Sequence, residues 1–363
     1  MLESTENKPA QASEPVLDYG CTPWISSSQR SADLYRSGVK LWRKEDLLDI
    51  EQQLARSQTT EKFTIRRIDG SVVHIKNPMF GVSKPIWRPY VKFREYWNLV
   101  RATPDADMPS ELYSCTYLID WTNQTKRDYE GPVDEARLLF EELRNRWNAS
   151  ATCEAFTSQF RKILDGDANK KVTKIVCFGL GDLNFKPPDC WRIENFSKPK
   201  DEWLPETSGL ERVMIHHAIA LTMADVVRSS PNSGGMGVRL LTQDPQYSDE
   251  TKHMLRDAGF EVLGDHGAGG FAEVDDTSIV FSAYTKAPVR EIITDFARPA
   301  VIIINKRSSD TVFSTLGKPY GDPESPRTRD MWKEYQMARF PVPHESEHIE
   351  GSLDGLAICA RFG

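Results

Sequence analysis

Small, acidic and hydroxyl-bearing residues follow several short apolar runs in the second half of the chain, where they could bind a ligand. The runs begin near Lys174, Val238, Ser278 and Ala300, and each is typical of a buried parallel strand. Ligands of open parallel sheets bind beyond the carboxyl ends of the strands. We therefore predict one active edge, formed by Gly179, Gly181, Asp182, Asp244, Ser282, Tyr284 and Asn305.

Helical segments alternate with these strands. A capping box at Ser208–Glu211 begins an apolar helix, Ser248–Ala258 is a second helix, and a third extends from about Pro288 to Ala297. Strands that alternate with helices form a parallel sheet covered on both faces. The predicted fold class is α/β, with a Rossmann-like doubly wound parallel sheet over residues 171–310 and an N-terminal α+β extension.

The two glycines after the first strand do not form a dinucleotide-binding fingerprint. The third glycine position holds Asn184, and nearly thirty residues separate the turn from the next helix. Two roles therefore remain open for Gly179 and Gly181: they line a pocket, or they allow a tight turn and close packing of a helix without any ligand. We expect no NAD, FAD or other cofactor.

The segment His344-Glu-Ser-Glu-His348 matches the zinc motif H-E-x-x-H letter for letter. Pro341 and Pro343 stand directly before it, and no further histidine follows as a third ligand. We therefore predict that this segment holds no metal.

The remaining regions differ in composition. Residues 1–28 are polar and without periodicity, and we expect a disordered tail. Residues 29–165 form the α+β extension, with a hairpin whose Asp69-Gly70 pair suits a type I′ turn. Residues 311–363 form a C-terminal extension of loops with one helix around Arg329–Met337.

Positive charge is concentrated between Lys62 and Arg101. This segment has nine Lys or Arg against Asp69 and Glu95, whereas the whole chain has a formal net charge of −7. Seven aromatic residues are interleaved with the charge, a combination that suits phosphates and unpaired bases. The predicted RNA-binding residues are Arg66, Arg67, Lys84, Arg88, Lys92 and Arg94. The alternative is a structural role, in which the basic side chains form a solvated face and the aromatic rings are buried in the core of the hairpin.

Composition also bears on location and partners. The N-terminus has neither a basic region nor an apolar run, and no stretch approaches the length of a membrane span. The six cysteines have no C-x-x-C spacing, which favours reduced thiols. We expect a cytoplasmic protein that binds neither membrane nor DNA. The sequence leaves the oligomeric state open.

Several segments resemble one known family. They are the runs KIVCFGLGD and HHAIALTMADVV, the segment TQDPQYSDETKHMLRDAGFEVLGD, and the strand pair DDTSIVFSAY and PAVIIIN. Together they are similar to the sensitivity-to-red-light-reduced-like domain over about Val172–Asn305. Where the plant and animal members have a His-Cys pair, this chain has Ser282-Ala-Tyr284.

The flanking segments YRSGVKLWRKEDL, GFAEVDD and LGKPYGDPESPRTRDMW resemble the filamentous-fungal branch of that family. That branch is similar to arginine-containing cyclodipeptide synthases, which join two aminoacyl-tRNAs into a diketopiperazine. The resemblance implies arginyl-tRNA and one other charged tRNA as partners. Those synthases have a DDxxE motif, and in this chain Ile279 follows Asp275-Asp276 at the glutamate position.

This chemistry needs an acidic group for a guanidinium and a nucleophile for the aminoacyl group. The candidate carboxylates are Asp182, Asp244, Glu273, Asp275 and Asp276. Ser282 is the candidate nucleophile, with His266 or Tyr284 as the proton carrier. Strand-end Asp and Ser residues are as often turn-forming as catalytic. The competing hypothesis is a non-enzymatic regulatory protein of the same family, of the clock or haem-metabolism type.

Overall fold

The structure is a computed structural model. It describes residues 22–83, 85–101, 103–123, 136–166, 171–184, 193–199, 202, 208–230, 237–283, 285–305, 322–343, 347–353 and 355–362. Three predicted residues, Lys84, Tyr284 and His344, lie outside these ranges, and so does the side chain of His348.

A seven-stranded sheet forms the centre of the molecule. Its parallel part consists of β5 (Lys174–Phe178), β6 (Arg239–Gln243), β7 (Glu261–Val262), β8 (Ser278–Ser282) and β9 (Val301–Asn305). Two antiparallel strands, β10 (Tyr335–Arg339) and β11 (Leu356–Arg361), extend it, and the order is β10-β11-β9-β8-β5-β6-β7. The predicted α/β fold class is confirmed.

Helices α4 (Ala136–Asn148), α5 (Ala151–Asp165), α6 (Ser208–Ser229) and α10 (Glu347–Leu353) cover one face of the sheet. The other face carries α1 (Pro23–Arg36), α2 (Lys44–Ala55), α3 (Tyr96–Val100), α8 (Val289–Phe296) and α9 (Pro326–Met331). Along the chain, helix α7 (Asp249–Asp257) connects β6 to β7. Alternate residues of β5 enter the two cores, Ile175 on the α6 side and Val176 on the other.

Two small antiparallel pairs lie on the α1 side. The first joins β1 (Lys62–Arg66) to β2 (Val72–Lys76), and the second joins β3 (Trp87–Phe93) to β4 (Tyr117–Asn123). Residues 29–165, predicted as one region, are thus divided between the two faces of the sheet. The part of the extension before Asn123 shares a core with the strands of the parallel sheet.

Three local predictions are wrong. Helix α1 begins at Pro23, inside the range expected to be disordered, because Thr22 caps it by accepting a hydrogen bond from the Ile25 amide at 3.3 Å. The Asp69-Gly70 turn is not type I′, since only Gly70 has a positive φ and the Gly70 amide bonds Arg67. Met337, expected in a helix, lies in β10.

None of the helices among the described residues combines the length and the apolar composition that a membrane crossing requires. The described residues also contain no group of three or more His, Cys, Asp or Glu side chains that could hold a metal ion.

Candidate functional site

A pocket of about 540 Å³ lies beyond the carboxyl ends of β5, β6 and β8, where the strand order predicted a ligand site. The antiparallel strand pair β3 and β4, called here the β3–β4 hairpin, covers the pocket. The sheet side contributes Phe178, Gly179, Gln243, Asp244, Pro245, Gln246, Gly267, Thr285, Lys286 and Ala287. The hairpin and the segment between its strands contribute Tyr90–Glu95, Asn98, Thr103–Asp105, Met108, Leu118, Trp121 and Thr122.

The two glycines after β5 have different roles. Gly179 has a φ of +61°, and a Cβ there would come within 2.6 Å of the Thr285 Cα, so the glycine lets two strand ends meet at the pocket. Gly181 has a φ of +92°, and its Cβ would lie 2.6 Å from the Val213 side chain of α6. Of the two interpretations, Gly179 is a pocket residue and Gly181 serves close helix packing.

Asp244 is the one predicted carboxylate that lines the pocket. Its oxygens accept hydrogen bonds from the amides of Gly181 at 3.0 Å and Gln246 at 2.9 Å. Burial raises the pKa of Asp244, and these two amides act in the opposite direction. The carboxylate is 9% exposed, so it both braces the turn after β5 and presents an acidic group to the pocket.

Asp182 does not face the pocket. Its Oδ1 accepts hydrogen bonds from the backbone amide of Ser248 at 3.3 Å and from the hydroxyls of Ser248 and Thr251. These contacts place the carboxylate at the first turn of α7, where a negative charge stabilises the helix. Its assignment as a ligand-binding residue is therefore corrected to a helix-stabilising one.

Glu273, Asp275 and Asp276 lie at the opposite, amino edge of the sheet. Asp275 pairs with Lys174, the first residue of β5, at 2.9 Å, and Glu273 pairs with Arg239, the first residue of β6, at 2.9 Å. Asp276 accepts a hydrogen bond from the amide of Arg298 at 2.7 Å. A strand of five residues is about 16 Å long, so these acids cannot share one ligand with Asp244.

The two predicted catalytic residues that the structure describes, Ser282 and His266, do not line the pocket. Ser282 is 5% exposed at the end of β8. His266 is 8% exposed, and its Nδ1 donates a hydrogen bond to the carbonyl oxygen of Pro89 at 2.7 Å. Tyr284 lies outside the described residues. The structure therefore supports neither Ser282 as the nucleophile nor His266 as the proton carrier.

The five predicted RNA-binding residues that the structure describes do not form one free basic surface. Arg94 is 7% exposed and donates to the carbonyl oxygens of Leu112, Tyr113, Cys115 and Asn98, so it is structural. Arg88 donates to the carbonyl of Pro245. Arg66 pairs with Asp46 at 2.8 Å, and Arg67 bonds the carbonyl of Glu111 at 2.9 Å.

Lys92 differs from these arginines. Its side chain is 59% exposed and its ammonium lies 3.6 Å from Asp120, and like Arg94 it lines the pocket. Of the seven aromatic residues, Phe63, Tyr96 and Trp97 are buried, which agrees with a role in the core. Phe80 and Trp87 are exposed.

A buried acidic pair that was not predicted from the sequence, Glu95 and Glu291, lies beside the pocket. Glu95 lines the pocket, caps α3 through the amides of Trp97 and Asn98, and is 2% exposed. Burial, and next the charge of Glu291, raise the pKa of Glu95 to about 9. Burial raises the pKa of Glu291 to about 7. The available signal was an acid two residues after the end of β3, but the sequence prediction used Glu95 only in the charge balance of the segment.

The pocket thus combines opposite charges with apolar walls. Asp244 and Asp105 supply negative charge, Lys92 and Lys286 supply positive charge, and Phe93, Phe178 and Trp121 supply aromatic surface. Such a lining suits a small molecule that carries both a cationic and an anionic group on an apolar body.

Comparison with known proteins gives one family. A family model described as the SRR1 domain matches residues 152–345, which is more than half of the chain. A search of curated proteins and a search of solved structures found no match.

Proposed function

The chain belongs to the SRR1 domain family, and we propose that it is an aminoacyl-tRNA-dependent cyclodipeptide synthase that joins arginine and a second amino acid. The observation that carries the proposal is the pocket at the carboxyl edge, with Asp244 and Lys286 in one lining. An aminoacyl-tRNA 3′ end brings a cationic amino acid and phosphates to one place, and this lining offers a partner to each.

The proposed reaction requires no external energy source, because aminoacyl esters are already activated. The amino group of one aminoacyl-tRNA attacks the ester carbonyl of the other, an amide bond forms, and the tRNA of the attacked ester leaves through its terminal ribose oxygen, which takes up a proton. The free amino group of the dipeptidyl ester then attacks the remaining ester carbonyl, which closes the ring and releases the second tRNA.

In this proposal, the chain acts mainly by binding and orientation. Asp244 holds the cationic side chain or the ammonium group of arginine, and Lys92 and Lys286 contact the terminal phosphates. The proposal gives Ser282 and His266 no direct contact with substrate, because both are buried and neither lines the pocket. The reaction would take place in the cytoplasm, where charged tRNAs are available.

The test compares extracts of hosts that express the chain with extracts of hosts that carry an empty vector. We expect a new cyclic dipeptide that contains arginine, detected by mass spectrometry. Asp244→Asn should abolish the product. Asp225→Asn, which changes an exposed carboxylate paired with Arg228 on α6, is the matched control and should preserve it.

A non-catalytic regulatory protein is the second candidate function. The burial of Ser282 and His266 favours it, since it leaves no predicted nucleophile at the pocket. In that case the pocket binds a small-molecule effector, and expression yields no new cyclic dipeptide although the protein is folded and abundant.

A further inference from the structure

The pocket has two walls from different parts of the chain. Phe178, Gln243, Asp244 and Lys286 lie within the matched family domain, whereas the hairpin residues from Tyr90 to Thr122 precede it. The position of the hairpin relative to the sheet therefore decides the shape of the pocket. Arg88 of β3 makes one contact that fixes this position, through the carbonyl of Pro245. Two others join β3 to the loop Gly264–Gly270, which follows β7.

Glu51 of α2 anchors this loop through three backbone amides. Its Oε1 accepts a hydrogen bond from His266 at 2.8 Å, and its Oε2 accepts from Ala268 at 2.9 Å and from Gly269 at 3.0 Å. Hydrogen bonds to a carboxylate are about twice as strong as neutral ones. Helix α2 is itself fixed by Leu47, Ile50 and Leu54, all fully buried in the core.

The same loop is joined to β3. The carbonyl oxygen of His266 accepts a hydrogen bond from the Val91 amide at 2.8 Å, and the His266 ring donates to the Pro89 carbonyl at 2.7 Å. Two residues of β3, one on each side of Tyr90, are thus held by one loop residue. The histidine links the hairpin to the loop.

Gln243, the last residue of β6, joins the loop to the sheet. Its Nε2 donates to the Gly267 carbonyl at 2.9 Å, and its Oε1 accepts from the Gly270 amide at 2.6 Å. A Cβ at Gly264 would clash with the Gln243 side chain, so the loop needs glycine there to come this close. Gln243 and Gly267 also line the pocket.

We propose that Glu51, Gln243 and His266 form a clamp that holds the β3–β4 hairpin over the sheet edge, which makes Glu51 a positioning residue for the pocket. Glu51 does not line the pocket and acts through the loop. The clamp's effect on turnover rests on the proposed function, but its effect on the hairpin does not.

The first test is hydrogen exchange of the whole chain without substrate. Glu51→Ala removes both oxygens that accept the three hydrogen bonds, so amides of Gly264–Gly270 and of β3 should exchange at least about tenfold faster. Glu51→Gln keeps one acceptor oxygen and should give an intermediate rate. Asp49→Asn, an exposed change on the same helix, should match the wild type. Unchanged exchange of β3 in a folded Glu51→Ala variant would overturn the clamp.

The second test is steady-state kinetics with arginyl-tRNA. If the hairpin is correctly placed for only a fraction of the time, the apparent dissociation constant equals the intrinsic constant divided by that fraction. Glu51→Ala should therefore raise KM about tenfold and change kcat little, with partial rescue in Glu51→Gln. A loss of kcat at unchanged KM contradicts the positioning role. If the wild type has no activity, the proposed function fails and the exchange experiment still decides the clamp.

Discussion

Replacing Glu291 by Gln should flatten the dependence of stability on pH. Glu291 is fully buried on α8, where its oxygens accept hydrogen bonds from the Tyr35 hydroxyl and the Tyr96 amide, each at 3.0 Å. Burial raises its pKa from 4.5 to about 7. Below pH 4.5 the carboxyl group is protonated in both the folded and the unfolded chain, so it contributes its full stability there.

The sign and size of the effect follow from that difference. As pH rises from 4.5 to 7, the unfolded chain releases the proton while the folded chain keeps it, so the free energy of unfolding falls. The two pKa values differ by about 2.5 pH units, and about 1.36 kcal/mol per unit gives a loss of about 3 kcal/mol. The loss is complete above pH 7, where both states are ionised.

The assay is urea denaturation of the wild type and Glu291→Gln at intervals between pH 4.5 and pH 8. The variant loses one hydrogen-bond acceptor and should be less stable than the wild type at low pH. Its free energy of unfolding should not show the fall of about 3 kcal/mol that Glu291 causes between pH 4.5 and pH 7. Glu95 and Asp295 face the same group, and because the charge of Glu291 helps to raise the pKa of Glu95, the substitution also reduces the part of the decline that Glu95 contributes. Glu141→Gln, an exposed change on α4, serves as the control. A variant that retains the full wild-type decline refutes the reasoning.

Three further substitutions test the pocket and its walls. Arg94→Ala should lower stability by about 3 kcal/mol or more, measured by urea denaturation, since four carbonyls lose their donor. Lys92→Ala should leave the melting temperature unchanged and reduce the salt dependence of tRNA binding by about 0.7 in slope, measured by filter binding. Gly179→Ala should lower the melting temperature, since its Cβ would lie 2.6 Å from Thr285 and its φ is positive.

The parallel sheet was predictable because the sequence of each of its longer strands is a short apolar run that is recognisable without tertiary contacts. The runs that became β5, β6, β8 and β9 are apolar and are separated by helical segments with caps. The added pair β10 and β11 was missed. In β10 three of five residues are exposed, and Tyr335–Arg339 lacks the β-branched residues that indicate a strand.

The pocket was predictable only in part. The carboxyl edge follows from strand direction, and Asp244 was found in this way. Asp275 and Asp276 precede β8, and residues that precede a parallel strand lie at the amino edge of the sheet. Their position could therefore also have been predicted from strand direction. The hairpin wall required the pairing of Tyr90 with Asp120 and contacts between Glu51 and His266, 215 residues apart. Short-range patterns carry no information about such long-range contacts.

The most direct test of the proposed function is a reaction of purified protein with arginyl-tRNA and a mixture of other aminoacyl-tRNAs. The tRNA is charged with isotope-labelled arginine, and products are measured by mass spectrometry. We predict a labelled cyclic dipeptide with the wild type and with Asp225→Asn, and its loss with Asp244→Asn under conditions where circular dichroism shows that the variant is folded. The absence of any labelled diketopiperazine with folded wild-type protein, or equal yields from Asp244→Asn and the wild type, would contradict this account.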